Sequence, residues 1–257
     1  MNRPSPREAF SDSIVMTRRG LTETARKPAL LVLAFIQPVM LILIFRYAFG
    51  GAVRTPNGSY VNFLMPGILV LTAIFGAIGT GIGLTEDLSK GMVDRLRSLP
   101  IARSAVLVGR TVSDLVRNVS SVILMLGVGF AVGFSPTEPI ARIVAAIALL
   151  LAFGYVFSWI SATIGLLVRD PETAQGAGFV WVLPLTFVSS AFVPTHTMPA
   201  VVRAFADVNP VTLCVDAVRA LTIGGDATRS VLGTLAWLAA LSLVFVPLAV
   251  SRYRALE

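Results

Sequence analysis

A chain of 257 residues has room for one or two soluble domains, but its composition excludes a soluble protein. Hydrophobic residues make up 55% of the chain, the mean hydropathy is +0.81, and only 14% of the residues are charged, against about a quarter in soluble domains. The net charge of +7 comes from basic residues clustered between apolar runs, which is the pattern of a protein oriented in a membrane and argues against a nucleic-acid partner.

Cysteine and histidine are almost absent from the chain. The single cysteine, Cys214, excludes an intramolecular disulfide and a cysteine-rich metal site, and the single histidine, His196, argues against a histidine metal centre. We therefore expect no bound metal.

The apolar runs predict an all-α polytopic membrane protein with one transmembrane domain, residues 29–251, between two cytoplasmic tails, residues 1–28 and 252–257. Its six predicted spans cover about residues 29–49, 60–84, 115–134, 143–168, 173–193 and 230–250. Within the N-terminal tail, residues 9–26 place a short apolar stripe on one helical face, which favours an interfacial helix over a frayed basic tail.

The second and third spans carry features beyond apolarity. Four glycines at positions 76, 79, 81 and 83 predict that another helix approaches the second span closely. The apolar run 119–134 is too short to cross about 30 Å of hydrocarbon, so the third helix is predicted to start earlier. Arg110, Asp114 and Arg117 then share one face, where local pairing is favoured over contact with a substrate.

The segments around the fifth span are marked by proline. Asp170 as N-cap, Pro171 at the first helical position and Glu172 in the first turn predict a helix start. After the span, residues 194–225 alternate prolines with two short amphipathic stretches, 200–207 and 211–223. Neither stretch is long enough to span, and both are predicted to dip into the outer leaflet and return.

Lysine and arginine counts set the orientation. Six spans put both termini on one side, which then holds fifteen basic residues against six on the other side. Since cytoplasmic loops carry the excess of lysine and arginine, both termini and the loop between spans two and three are predicted to be cytoplasmic.

That loop lies in a charged island, residues 84–118, within an otherwise apolar chain. Leu88, Met92, Leu96 and Leu99 form a stripe at helical spacing and Pro100 ends it, so residues 86–100 predict an amphipathic docking helix, with a solvated loop as the alternative. The chain has no G-x-x-x-x-G-K-[ST] phosphate loop and almost no charge at the centres of spans two to six. A transporter built this way needs an external energy source.

Three motifs resemble one family of membrane proteins. They are E-D-L-S-K-G-M-V-D-R-L-R-S-L-P-I-A-R at 86–103, R-D-P-E-T-A-Q at 169–175, and F-V-P-T-H-T-M-P at 192–199 running on to D-V-N-P-V-T-L-C-V-D-A-V-R at 207–219. Their order, spacing and six-span layout resemble the integral-membrane permease of ABC type-2 exporters, in the daunorubicin/doxorubicin-resistance branch.

The resemblance implies a permease subunit that exports a hydrophobic or amphipathic substrate, such as a drug, lipid or glycolipid, through a prokaryotic plasma membrane. It implies an ATP-binding-cassette ATPase as partner, which would bind the ATP and magnesium, and a second permease copy or related permease. This chain itself would bind no cofactor and would not be an enzyme.

The resemblance also assigns roles to residues by position. The contact with the ATPase falls on Glu86, Asp87, Lys90, Gly91, Asp94, Arg95, Leu99 and Pro100. A second cytoplasmic contact falls on Arg169, Asp170 and Glu172. The extracellular re-entrant segment is marked by Pro194, Pro199, Asp207, Pro210, Asp216 and Arg219.

Other functions and the substrate path stay open at this point. A membrane-embedded scaffold or enzyme without transport would rest on His196 with Asp207, and an uncoupled channel would need a ring of pore-lining charge that is not visible. Aromatic and hydroxyl side chains that either line a substrate path or pack helices are Tyr155, Ser158, Trp159, Ser161 and Trp181.

Overall fold

A computed structural model describes residue 22 and residues 28–49, 60–89, 103–168 and 170–255. Within these ranges the regular elements are helices: α1 (Pro28–Ile44), a π-helical turn (Phe45–Phe49), α2 (Tyr60–Ser89), α3 (Arg103–Ala131), α4 (Ile140–Val168), α5 (Pro171–Phe187), a 3-10 turn (Thr195–Thr197), α6 (Ala200–Val208), α7 (Pro210–Ile223) and α8 (Thr228–Arg254). The all-helical prediction is confirmed for the described chain.

Four of the described helices are long and apolar enough to cross a membrane, over Tyr60–Ser89, Val112–Ala131, Ile140–Val168 and Thr228–Tyr253. The chain is therefore a multi-pass membrane protein. The predicted first and fifth spans correspond to α1 and α5, which have 17 residues each and fall below that length. The predicted interfacial helix, apart from Thr22, lies outside the described residues.

The centre of the bundle is α2, which contacts α3, α4, α5 and α7 and is buried over most of its length. Its closest neighbour is α4. A Cβ atom at Gly165 of α4 would lie 2.6 Å from the carbonyl oxygen of Gly81, and a Cβ atom at Gly81 would collide with the Ser161 carbonyl. The predicted close approach at the glycines of the second span is confirmed, because side chains larger than hydrogen would hold these backbones apart.

Two predicted spans differ from the helices observed. The third helix starts at Arg103, so residues before 115 are helical as the short apolar run required. The fifth helix ends at Phe187 rather than continuing to Val193. Pro184 lies in its last turn and the chain then turns at residues 188–193, so the apolar run is longer than the helix it encodes.

Local contacts and backbone geometry explain where α5 begins and where α7 ends. At α5, the Asp170 carboxylate accepts hydrogen bonds from the Thr173 amide (2.8 Å) and hydroxyl (2.6 Å), which confirms the predicted N-cap. These hydrogen bonds lower the pKa of Asp170 below its usual value. Helix α7 ends where Gly224 and Gly225 adopt φ values of 112° and 120°, which side chains with a Cβ rarely reach.

Candidate functional site

Three helix ends meet at Asn209. They are the C-terminal ends of α5 and α6 and the N-terminal end of α7. The Asn209 amide donates 2.7 Å hydrogen bonds to the carbonyls of Leu185 and Val188, the last turn of α5 and the residue after it. Its side-chain oxygen accepts from the Val211 amide (2.8 Å) and so caps α7. One buried side chain thus satisfies the C-terminus of one helix and the N-terminus of another.

A second contact secures the end of α6 at this junction. The Trp237 indole of α8 donates a 3.0 Å hydrogen bond to the carbonyl of Val208, the last residue of α6. Trp237 lies about 14 Å along α8 from its start at Thr228, at 1.5 Å per residue. The junction therefore lies about nine residues along α8 rather than level with its first turn.

Arg219 lies at the other end of α7 and is enclosed by backbone. Its guanidinium donates to the carbonyls of Phe63 (3.1 Å) and Ser190 (2.8 Å) and pairs with Asp216 at 2.6 Å. The guanidinium carbon also lies 4.0 Å from the centre of the Phe63 ring, within range of a cation–π interaction. Since Ser190 donates to Asp216 as well (2.6 Å), the cluster joins α2, the turn after α5, and α7.

The C-terminal end of α7 is tied to the loop between α3 and α4. The amides of Thr137 and Glu138 donate to the Thr222 carbonyl, at 3.0 and 3.3 Å, and the Thr137 hydroxyl donates to Ile223 (2.8 Å). Thus α7 runs from the junction at Asn209 to the loop side of the bundle, and α6 leads into that junction. This pair of short helices matches the predicted stretches 200–207 and 211–223 within one or two residues.

The predicted re-entrant residues occupy different environments. Pro210 is buried at the start of α7, and Asp216 and Arg219 form the ion pair described above. Pro199 precedes α6, Pro194 precedes the 3-10 turn, and Asp207 is exposed near the end of α6. His196 lies exposed in the 3-10 turn. The structure thus brings together Asp216 and Arg219 with Ser190 and Phe63, and it places Asn209 at the opposite end of α7; the sequence did not single out these last three residues.

Four of the candidate substrate-path residues lie on α4, and the fifth, Trp181, lies on α5. Trp159 packs with Leu84, Ala249 and Tyr253, whereas Trp181 of α5 packs on Phe157 with ring centres 5.5 Å apart. Positions 157 and 159 are about 200° apart around a helix, so these two groups face different neighbours.

The hydroxyls and the remaining aromatic side chain are close-packed as well. Tyr155 packs edge-on against Trp159, at 6.2 Å between ring centres, and the Ser158 hydroxyl donates to the Tyr155 carbonyl at 2.6 Å. Ser161 is buried at the crossing of α2 and α4. The five residues are not gathered around one space.

The structure describes only four of the residues predicted to contact the ATPase. Glu86 and Asp87 lie half-buried in the last turn of α2, and Asp170 and Glu172 lie exposed at the start of α5. The other predicted contact residues lie outside the described residues: Lys90, Gly91, Asp94, Arg95, Leu99, Pro100 and Arg169.

Comparison with known proteins gives one consistent result. Residues 12–223 match the model of the ABC-2 type transporter family. The chain is 32% identical over 252 residues to the daunorubicin resistance ABC transporter permease protein DrrB1 of Streptomyces coeruleorubidus, covering 98% of this chain and 89% of that protein. It is 26% identical over 247 residues to the "probable doxorubicin resistance ABC transporter permease protein DrrC" of Mycobacterium tuberculosis, covering 95% and 89%.

The family match spans most of the chain, including α2, α3, α4, α5 and the pair α6 and α7. Both relatives align over almost the whole length. The chain therefore belongs to the ABC-2 type transporter family.

Proposed function

We propose that this chain is the membrane-spanning permease subunit of an ATP-binding-cassette exporter that expels a hydrophobic or amphipathic substrate. The observation that carries the proposal is the alignment with drug-resistance permeases along 98% of the chain. The apolar bundle supports it, because a substrate that crosses such a bundle meets few charged groups. The chain supplies the passage and no enzyme activity.

The energy source is a separate ATP-binding-cassette ATPase, which holds ATP and magnesium. Residues 86–100 form the docking segment on that ATPase, with Arg169, Asp170 and Glu172 as a second contact. The position of Glu86 and Asp87 in the last turn of α2 supports this assignment, since the docking segment then begins on the central helix of the bundle. A second permease copy or a related permease completes the passage.

In the bilayer, residues 29–251 form one domain of six passes. The four long helices provide four of them, and α1 and α5 provide the other two. At about 25 Å, α5 is shorter than the hydrocarbon core, and the outer part of its pass is filled by residues 188–199 with α6 and α7. Both termini lie in the cytoplasm of a prokaryotic cell and the α6–α7 pair lies outside, an orientation that the distribution of arginine and lysine supports.

The test is purification of the tagged full chain from its native membrane, followed by identification and assay of any ATP-binding-cassette ATPase that accompanies it. Glu86→Lys reverses a charge in the docking segment and is expected to reduce the recovered ATPase at least about tenfold, because charge complementarity governs such contacts. Asp207→Lys, an equal reversal in α6, serves as the matched control and should leave recovery unchanged.

Two results would count against the proposal. If the wild-type chain carries no nucleotide-hydrolysing partner, the permease assignment is wrong. If Glu86→Lys recovers as much ATPase as the wild type, the assignment of the docking segment is wrong while the permease function stands.

A further inference from the structure

Helix α3 carries a polar group inside the bundle, which we call the inner clamp: Asp114, Arg117 and Asn118. Asp114 is 5% exposed and Asn118 is 2% exposed, and the Arg117 side chain is 24% exposed. All three lie in the first seven residues of Val112–Ala131, the part of α3 that is apolar enough to cross a membrane. Ionisable residues buried between the helices of a membrane bundle are costly and are usually retained for function.

The inner clamp is hydrogen-bonded to the backbone of α2. Nη2 of Arg117 lies 3.1 Å from the Asp114 carboxylate and donates a 3.0 Å hydrogen bond to the carbonyl of Gly76. This carbonyl belongs to the helix that forms the centre of the bundle. Because Asp114 neutralises the guanidinium, the clamp places no net charge in the apolar core.

Glycines of α2 make room for this grip. A Cβ atom at Gly79 would lie 3.1 Å from Nη2 of Arg117, and a Cβ atom at Gly76 would collide with the Asn118 side chain. Asn118 also touches α4, since its Nδ2 lies 3.3 Å from the position of a Cβ atom at Gly154. The inner clamp therefore lies where α2, α3 and α4 meet.

The connectivity gives this contact a mechanical consequence. Helix α2 ends at Ser89 and α3 begins at Arg103, and the chain between them contains most of the proposed docking segment. Gly76 and Arg117 each lie about 20 Å along their helices from these ends. A push on the docking segment reaches both helices, and a bond between them at that distance forces the two to move together.

We propose that Arg117 is a positioning residue for coupling: it locks α2 to α3 so that movement of the docking segment displaces both helices as one unit. The inference rests on the proposed function as a permease. Without the lock, smooth glycine surfaces let the two helices slide past one another, and ATP hydrolysis proceeds without a matching displacement of the bundle.

The test measures ATP hydrolysis and ATP-driven daunorubicin export by the full chain with its co-purified ATPase, reconstituted in liposomes. Arg117→Gln is expected to keep ATP hydrolysis within about twofold of wild type while export per ATP falls at least about tenfold. Arg117→Lys keeps a cation near Asp114 and is expected to recover part of the export. Arg142→Gln is the matched control, because Arg142 forms a more exposed pair with Glu138 (2.8 Å) away from α2.

The outcomes separate the lock from the permease function. Wild-type export per ATP in Arg117→Gln overturns the lock alone, whereas a wild-type complex that exports neither daunorubicin nor any other drug of an amphipathic panel overturns the permease function and the lock with it. If Arg117→Gln does not fold, Gly79→Val decides, since its Cβ lies 3.1 Å from Nη2 of Arg117 and its two further methyl groups crowd the guanidinium while the charge stays. Unchanged export per ATP in Gly79→Val, with Gly127→Val at an open position of α3 as control, then overturns the lock.

Discussion

Replacing Asn209 by alanine should loosen α7 far more than a single buried amide ordinarily does. The substitution leaves the carbonyls of Leu185 and Val188 without their donor and removes the α7 cap. At about 1 kcal/mol for each of these hydrogen bonds, the loss is about 3 kcal/mol. Water cannot readily replace the lost partners, because Asn209 is 2% exposed in the bundle.

Cys214 provides the assay without further engineering. It is the single cysteine of the chain and is fully buried in α7, four residues after Pro210. A thiol-reactive fluorogenic maleimide in mild detergent therefore labels the protein only when α7 opens. A loss of about 3 kcal/mol predicts labelling about 100-fold faster in Asn209→Ala than in wild type.

Two further variants sharpen the result. Asn209→Ser keeps an acceptor for the α7 cap and is expected to fall between wild type and alanine. Asn62→Ala removes one hydrogen bond, from the Ser135 amide to the Asn62 side chain, at a position outside α7, and should change labelling less than about threefold. Labelling of Asn209→Ala within threefold of wild type would refute the role assigned to Asn209.

The remaining predictions concern packing and capping. Gly165→Val places a side chain against the Gly81 carbonyl, so we expect thermal unfolding to show a destabilisation of about 1–3 kcal/mol or more. Gly176→Val is the control and should be tolerated, because the space around Gly176 is open. Equal effects of the two substitutions would contradict the backbone contact between α2 and α4. Hydrogen bonds from Thr173 lower the pKa of Asp170 in the folded protein below the value of 3.8 that it has in the unfolded chain. The ionised Asp170 cap therefore stabilises the fold fully above pH 3.8, and this stabilisation is lost as the pH falls through the lowered pKa. Asp170→Asn should abolish this part of the pH dependence of the thermal midpoint, and an unchanged profile would contradict the cap.

Local signals in the sequence predicted the features that depend on neighbouring residues. The order Asp170, Pro171 and Glu172 predicted the start of α5, and prolines with amphipathic spacing predicted α6 and α7. The spacing of Asp114 and Arg117 predicted local pairing, which the 3.1 Å ion pair confirms. Each of these depends on residues within one or two turns, and such contacts follow from helix geometry.

Features that depend on distant residues were not predictable in the same way. Arg219 bonds to the carbonyl of Phe63, which lies 156 positions earlier in the chain, and Asn209 bonds to carbonyls 21 and 24 positions away. The early end of α5 belongs with these cases, because its apolar run continues to Val193 and the carbonyl of Leu185 in its last turn is bonded by Asn209, 24 positions later in the chain. Apolar periodicity finds a helix but does not say which polar group will end it.

The glycines of α2 illustrate both situations. Their presence predicted that some helix approaches closely, but the identity of the neighbour differs from one glycine to the next. Gly76 and Gly79 face the inner clamp of α3, whereas Gly81 faces the backbone of α4. A small residue marks a possible approach, and the fold decides what approaches.

ATP-driven accumulation of amphipathic drugs, daunorubicin among them, in inside-out membrane vesicles tests the central claim most directly. Vesicles that contain this chain and its ATPase should accumulate at least one of these drugs only with ATP and magnesium present, and Glu86→Lys should reduce the accumulation at least about tenfold while Asp207→Lys preserves it. Entry that continues without ATP and stops at equal concentrations would indicate an uncoupled channel. Vesicles that hydrolyse ATP with the chain bound and accumulate no daunorubicin or other amphipathic drug would contradict the account of this chain as a drug-exporting permease.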